Sequence, residues 1–336
     1  MAFRDIVGHR TLVGLLGRSI ERGTLPPSLI FAGPSGVGKR LVAVAVAQAL
    51  NCPNNGCGEC TICKRIARGV HPDVSIVEPE ESGSIKIHQV RDIIDRAGYR
   101  PFEGRHRVAI IDEADALTSE AQSALLKSLE EPPSTSSFLL VTSTPDVLLP
   151  TVRSRCPRLT FRGLDVNDVA TVLMRVKFKA GEEGQARIAA ATSDGSVRRA
   201  LEAADEDLVE VRNTALTVLK GVADAPPGSP RDSQRRRVEA AKELLPKGKV
   251  QPMVEREHLA AHLRVVSSIL RDVTFLTTCG AGPALANADV QSDLEELSAF
   301  GGERGRQAFM AVDEGLVALE RNAAAKIVAD WVMLRI

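Results

Sequence analysis

The sequence predicts an α/β fold, with a parallel-sheet domain carrying a phosphate-binding loop at its start and all-helical regions after it. Three observations predict this. Residues 28–50, S-L-I-F-A-G-P-S-G-V-G-K-R-L-V-A-V-A-V-A-Q-A-L, read as buried strand, glycine-rich turn and apolar helix without interruption. Further apolar runs at 107–111 and 137–142 alternate with helix-period segments at 87–97 and 121–131, the pattern of strand–helix–strand units. Beyond Gly163 only helical periodicity continues.

Composition narrows the function classes. A chain of 336 residues with 44% hydrophobic and 26% charged side chains is an ordinary globular sequence, long enough for two or three domains. Lys plus Arg and Asp plus Glu each number 43, so no overall basic field holds nucleic acid unaided. Aromatic residues make up only 3%, which argues against single-strand binding by base stacking. The first residues, M-A-F-R-D-I-V-G-H-R, lack a signal-peptide core, and a cytoplasmic location is expected. Six cysteines in a reducing compartment then point to metal binding or burial, not to disulfides.

Residues 11–22 form an amphipathic pattern through Leu12, Leu15, Leu16 and Ile20. Following Ala32, the residues Gly33, Gly38 and Lys39 give the pattern G-x-x-x-x-G-K, with Gly36 within it, and small residues there let backbone N–H groups converge on phosphate at a helix N-terminus. Lys39 would reach the outer phosphates. The next position, where a hydroxyl would hold Mg²⁺, is Arg40, a permanent cation with no oxygen to offer. Nucleotide binding remains chemically open at such a loop; hydrolysis is not expected.

Directly after the loop helix, Cys52, Cys57, Cys60 and Cys63 are spaced C-x4-C-x2-C-x2-C. Four soft thiolates in twelve residues suit tetrahedral Zn²⁺, and a shell filled by protein is structural. His71 and Asp73 read as loop residues beyond that set. A short strand at 73–77 and a helix at 87–97 lead to R-V-A-I-I-D-E-A-D, residues 107–115. Asp112 and Glu113 stand where a P-loop ATPase holds its Mg²⁺ shell and polarises the attacking water, although acids here would also favour the next helix N-terminus. That helix, 121–131, stops at Pro132 and Pro133. The strand 137–142 ends in Thr142, Ser143 and Thr144, placed either to sense a γ-phosphate or to cap the turn.

Phosphate loop, four-cysteine module, D-E-A-D at 112–115, L-L-K-S-L-E-E-P-P at 125–133 and S-R-C at 154–156, in this order, resemble the bacterial clamp-loader subunits of DNA polymerase III, a family of AAA+ proteins. The resemblance implies an AAA+ P-loop domain over 1–162 with a zinc module inserted at about 51–72, a helical lid over 163–206 and a helical collar over 207–336. It places Val7 and Gly8 against the adenine and makes Arg155 an arginine finger that enters a neighbouring subunit's ATP site. Arg198, in G-S-V-R-R-A-L, matches the second sensor arginine; the alternatives are a local ion pair for Arg155 and a solvated helix face for Arg198. Cys156 and Cys279 are read as buried small side chains. The first gap of the cysteine set, four residues, is shorter than the family's usual one.

The implied partners are tau/gamma and delta subunits, the sliding clamp and, within the complex, primed DNA, with no membrane. The implied cofactors are structural Zn²⁺ and, where its own site is filled, ATP with Mg²⁺. Arg40 sets the chain with the family's arginine-donating member, without intrinsic ATPase activity, and the alternative is an active tau/gamma-like motor. The helices beyond 208, at 208–220, 233–245, 255–277, 289–300 and 305–336, carry no catalytic motif and suit assembly.

Overall fold

A computed structural model describes residues 3–204, 208–223, 231–246, 248, 250–279 and 285–336. The chain divides into two compact units, 1–165 and 166–336.

In the first unit five parallel strands lie in the order β2-β3-β4-β1-β5. They are β1 (Ser28–Ala32), β2 (Val74–Val77), β3 (Arg107–Ile111), β4 (Ser136–Thr142) and β5 (Arg158–Thr160). The helices are α1 (Arg10–Glu21), α2 (Lys39–Asn51), α3 (Thr61–Ala67), α4 (Ile87–Ala97), α5 (Ser119–Glu130) and α6 (Pro150–Arg153). Alternation along the strands divides the core between the two sheet faces. Leu29, Phe31, Ile110 and Leu139 pack with Leu16, Val42, Val46 and Ile66 on one face. Ile30, Ile111, Phe138 and Leu140 pack with Val90, Ile93, Leu125 and Val152 on the other. Each such buried side chain contributes roughly 1.5–3 kcal/mol of transfer free energy.

Register places the functional ends together. Ala32 pairs with Thr142, Leu140 with Ile111, and Ile111 with Val77. Gly33, Ser143, Asp112 and Glu78 therefore leave the sheet on one rim, where ligands collect in open α/β sheets.

His71 and Asp73 lie in the turn before β2, as expected of loop residues, yet both are buried, at 3% and 2% exposure. Asp73 accepts the backbone N–H of Phe102 (2.6 Å), Glu103 (2.9 Å) and Gly104 (2.8 Å), and so fixes the loop leading into β3. His71 accepts from Asp73 N through Nδ1 and holds Nε2 3.2 Å from Glu103.

The second unit is helical: α7 (Val166–Val176), α8 (Glu183–Ala191), α9 (Val197–Ala203), α10 (Leu208–Ala223), α11 (Arg231–Glu243), α12 (Pro252–Cys279), α13 (Gln291–Glu296), α14 (Gly302–Glu320) and α15 (Ala325–Arg335). Leu219, Leu263, Val266, Ile269, Val312, Val332 and Met333 are among the residues of its core. The single helix expected over 289–300 is three short pieces, with 3-10 turns flanking α13. The one expected over 305–336 is two. Asn322 sits at φ 64, and Asn322 N and Ala323 N donate to Leu319 O and Ala318 O, a left-handed stop that ends α14. Residues 224–230 and the side chain of Cys279 lie outside what is described. No helix among the described residues is long and apolar enough to cross a membrane.

Candidate nucleotide site, zinc module and arginine finger

The phosphate loop joins β1 to α2, and its glycines are required by the backbone. Gly33, Gly36 and Gly38 have φ of 154, 77 and 94. A Cβ on Gly33 would stand 2.3 Å from the Phe161 carbonyl oxygen, so the loop packs against the chain leaving β5. Lys39 opens α2, is 7% exposed, and donates from Nζ to the carbonyls of Gly33 (2.7 Å) and Pro34 (2.6 Å). Burial lowers its pKa, opposed by the charges of Asp115 and Asp112.

Arg40 reaches across the rim. Its Nη1 lies 3.1 Å from Asp112 Oδ2, and its Nη2 pairs with Glu78 at the end of β2. The residue in the hydroxyl position thus directs a guanidinium onto the carboxylate expected to share Mg²⁺ with a nucleotide. Glu78 went unnoticed in the sequence because no motif includes it; its signal is only its place one residue after a strand of the same sheet.

The other acids divide their roles. Asp112 Oδ1 accepts the N–H of Glu113 at 3.1 Å. Glu113 is exposed and left-handed, at φ 52. Asp115 accepts hydroxyls of Ser143 (3.1 Å) and Thr144 (3.0 Å) from the end of β4. Burial alone would raise its pKa, but these bonds and one from Thr142 outweigh it and hold the carboxyl below its ordinary value. Thr142 is 1% exposed, and its Oγ1 also accepts Thr144 N at 3.1 Å. Its hydroxyl faces into the turn.

Val7 and Gly8 directly precede His9. His9 Nε2 lies 2.9 Å from Val37 O in the phosphate loop, and its ring meets Phe161 edge-on at 4.9 Å. His9 carries no motif and was not singled out in the sequence. Arg198 lies exposed on α9 in the second unit.

The four cysteines converge. The Sγ atoms of Cys52, Cys57, Cys60 and Cys63 all lie within 4.8 Å of one another. Cys52 Sγ is 3.7 Å from those of both Cys57 and Cys60. A tetrahedron with Zn–S bonds of about 2.3 Å has edges of about 3.8 Å, so donor set and spacing both fit Zn²⁺. Burial pushes the Cys52 thiol up, but backbone bonds from Cys57, Asn54 and Gly56 prevail and bring it to about 6, while burial pushes the neighbouring Cys63 thiol up to about 12. Cys60 also caps α3, accepting Cys63 N at 3.4 Å. Gln48 ties the module to α2 through Cys63 O at 2.7 Å, and Arg4 ties it to the N-terminal segment through Cys57 O at 3.1 Å.

Arg155 follows α6. Its Nε donates to Glu130 Oε1 at 2.7 Å, Nη2 donates to the same oxygen, and Nη1 donates to Thr151 O at 2.8 Å. Its side chain stays 31% exposed. Cys156 is buried, and burial pushes its thiol up to about 11, opposed by Arg155.

A parallel sheet with a phosphate loop after β1 and acids after the non-adjacent β3 defines a P-loop domain of the AAA+ class. Residues 8–165 match the family described as "DNA polymerase III, delta subunit". The chain is 32% identical over 233 residues to DNA polymerase III subunit tau of Escherichia coli (strain K12), covering 66% of this chain and 36% of that protein. It is 30% identical over 228 residues to subunit gamma/tau of Mycobacterium tuberculosis (strain ATCC 25618 / H37Rv), covering 66% and 39%. The chain thus spans little more than a third of the length of these relatives. A crystal structure of a DNA polymerase III gamma subunit-related protein from Thermotoga maritima covers 95% of this chain and 96% of its own at 18% identity, with a TM-score of 0.43. The match over 8–165 and the identity to subunit tau support a clamp-loader AAA+ subunit of DNA polymerase III.

Proposed function

We propose that the chain is the delta-prime-type member of a clamp loader: a subunit that does not turn over ATP itself and supplies Arg155 to the ATP site of an adjacent tau/gamma subunit. The observation that carries this reading is Arg40, whose guanidinium is paired with Asp112 and Glu78. A cation held there opposes a divalent metal at the same carboxylate, so Gly33, Gly36, Gly38, Lys39, Asp112, Glu113 and Thr142 form a degenerate site, with Val7 and Gly8 as its remaining members in this unit.

In phosphoryl transfer to water, negative charge spreads over the equatorial oxygens of the transferring group. A guanidinium supplied by a neighbouring subunit stabilises that charge and is worth roughly 10³–10⁵ in rate. Arg155 has the exposure for such a role. Zn²⁺, held by Cys52, Cys57, Cys60 and Cys63, supplies structural cross-linking only, because all four positions of its shell are protein. The segments read as lid (163–206) and collar (207–336) serve assembly into a hetero-oligomer with tau/gamma and delta, acting in the cytoplasm on the sliding clamp and primed DNA.

The second reading, an intrinsically active tau/gamma-like ATPase, is favoured by the 32% identity to subunit tau. Reconstitution separates the two. With Arg155→Ala in the complex, the DNA-stimulated ATPase should fall at least tenfold while assembly is retained; an unchanged rate refutes the finger assignment.

A further inference from the structure

The carboxylate of Glu130 is unaccounted for by the function above, yet it makes the closest ordering contact to Arg155. It stands at the last turn of α5, immediately before the Pro132–Pro133 stop, 25 positions from the arginine it meets. We infer that Glu130 is the positioning residue of the arginine finger: it fixes the guanidinium so that one edge faces outward, available to a phosphoryl group on a neighbouring subunit. This inference rests on the finger reading of Arg155.

The geometry is specific to one edge. A guanidinium has five N–H donors and two edges that can each present a parallel pair, Nε with Nη2 and Nη1 with Nη2. Glu130 Oε1 accepts both donors of the first edge, Nε at 2.7 Å and Nη2. Thr151 O accepts from Nη1 at 2.8 Å, which pins the plane from a second direction. Nη1 also reaches the Ser154 hydroxyl at 3.4 Å, a long contact that a phosphoryl oxygen readily replaces because the hydroxyl rotates.

The rigid origin of each partner matters as much as the contacts. Thr151 is on α6, which opens at Pro150, and Glu130 closes α5, whose N-cap Thr118 accepts Ala121 N at 3.3 Å. Two helices therefore hold a long, otherwise mobile side chain, and less rotamer freedom remains to be lost when the finger engages. A carboxylate also removes charge from the finger, so its presence makes sense for orientation, not for raw attraction.

The test is steady-state ATP hydrolysis by the reconstituted complex with DNA, comparing native, Glu130→Ala, Glu130→Gln, Arg155→Ala and the Glu130→Ala/Arg155→Ala double variant. Glu130→Ala should lower kcat about tenfold with KM for ATP unchanged, since misplacing a catalytic group by an ångström costs up to ~10²-fold. Glu130→Gln, which keeps the acceptor oxygen, should recover to within about twofold of native. In the Arg155→Ala background Glu130→Ala should have no further effect. The melting temperature of the isolated chain should move by less than about 2 °C, as expected for an exposed pair. A native or raised kcat for Glu130→Ala beside a slow Arg155→Ala overturns the positioning role and leaves the finger intact. So does a full loss in the double variant beyond Arg155→Ala alone, or a Gln variant as slow as the Ala variant. Native rates for Arg155→Ala remove the finger reading itself, and Glu130's role with it.

Discussion

Nη1 of Arg40 lies 3.1 Å from Oδ2 of Asp112, joining the first turn of α2 to the end of β3 across the rim where a metal–nucleotide complex would bind. A fixed cation at that carboxylate removes the electrostatic reason for Mg²⁺ to bind there. Omitting Mg²⁺ should change the native chain's affinity for ATP by less than about twofold, and the affinity of Arg40→Thr by about tenfold, because a hydroxyl and a freed carboxylate restore the metal's ligands. Fluorescent-nucleotide titration with and without added Mg²⁺ reads this directly, without a chelator that would also strip zinc.

Asp73 is the second charged group whose environment has a measurable consequence. Burial alone would raise its pKa, but three backbone N–H bonds from Phe102, Glu103 and Gly104, with Arg107 nearby, hold it below the ordinary carboxyl value. A depressed folded-state pKa means the stabilisation is complete above the unfolded pKa of about 3.9 and is lost as pH falls through the folded value. Asp73→Ala should cost about 1–3 kcal/mol at pH 7, as three partly buried N–H groups lose their acceptor. Urea unfolding at pH 7 and below pH 3 should show the difference between native and variant shrinking in acid.

Zinc binding has a stoichiometric signature. The purified chain should carry about one Zn²⁺, and Cys60→Ser should lower both zinc content and melting temperature, since Cys60 would supply one ligand and caps α3. Metal analysis beside a thermal melt checks both. Because the module lies at the far end of α2 from Lys39, nucleotide affinity should change less than stability.

Packing in the second unit makes a sharper demand at Gly305. A Cβ there would stand 1.9 Å from the Phe300 carbonyl oxygen and 2.9 Å from Thr274 Oγ1. Gly305→Ala should destabilise this unit by about 1–3 kcal/mol through forced movement of backbone, visible as a lower denaturant midpoint.

What the sequence made legible were features whose chemistry is local. Strand, glycine loop and helix at 28–50 occupy their expected places, as does the four-cysteine cluster. Arg40 was legible as a residue that cannot ligate metal; that its charge goes to Glu78 and Asp112 depends on strand order, which no local pattern contains. Asp73 is the loop residue it looked like, but its burial and anchoring role were hidden because its three partners lie about thirty positions away. β5 escaped notice because Arg158–Thr160 is too short and polar to show a period. The stop at Asn322 was hidden by apolar periodicity on both sides of it. Glu130 stood in a recognised motif without a role until the fold brought it to Arg155.

The measurement that tests the central claim most directly is steady-state ATP hydrolysis by the purified chain with Mg²⁺, with and without primed DNA. The account predicts turnover at background, unchanged in a Lys39→Ala variant. Clear turnover that disappears with Lys39→Ala would contradict it, show that Arg40 yields its place to the metal, and establish the chain as an ATPase in its own right.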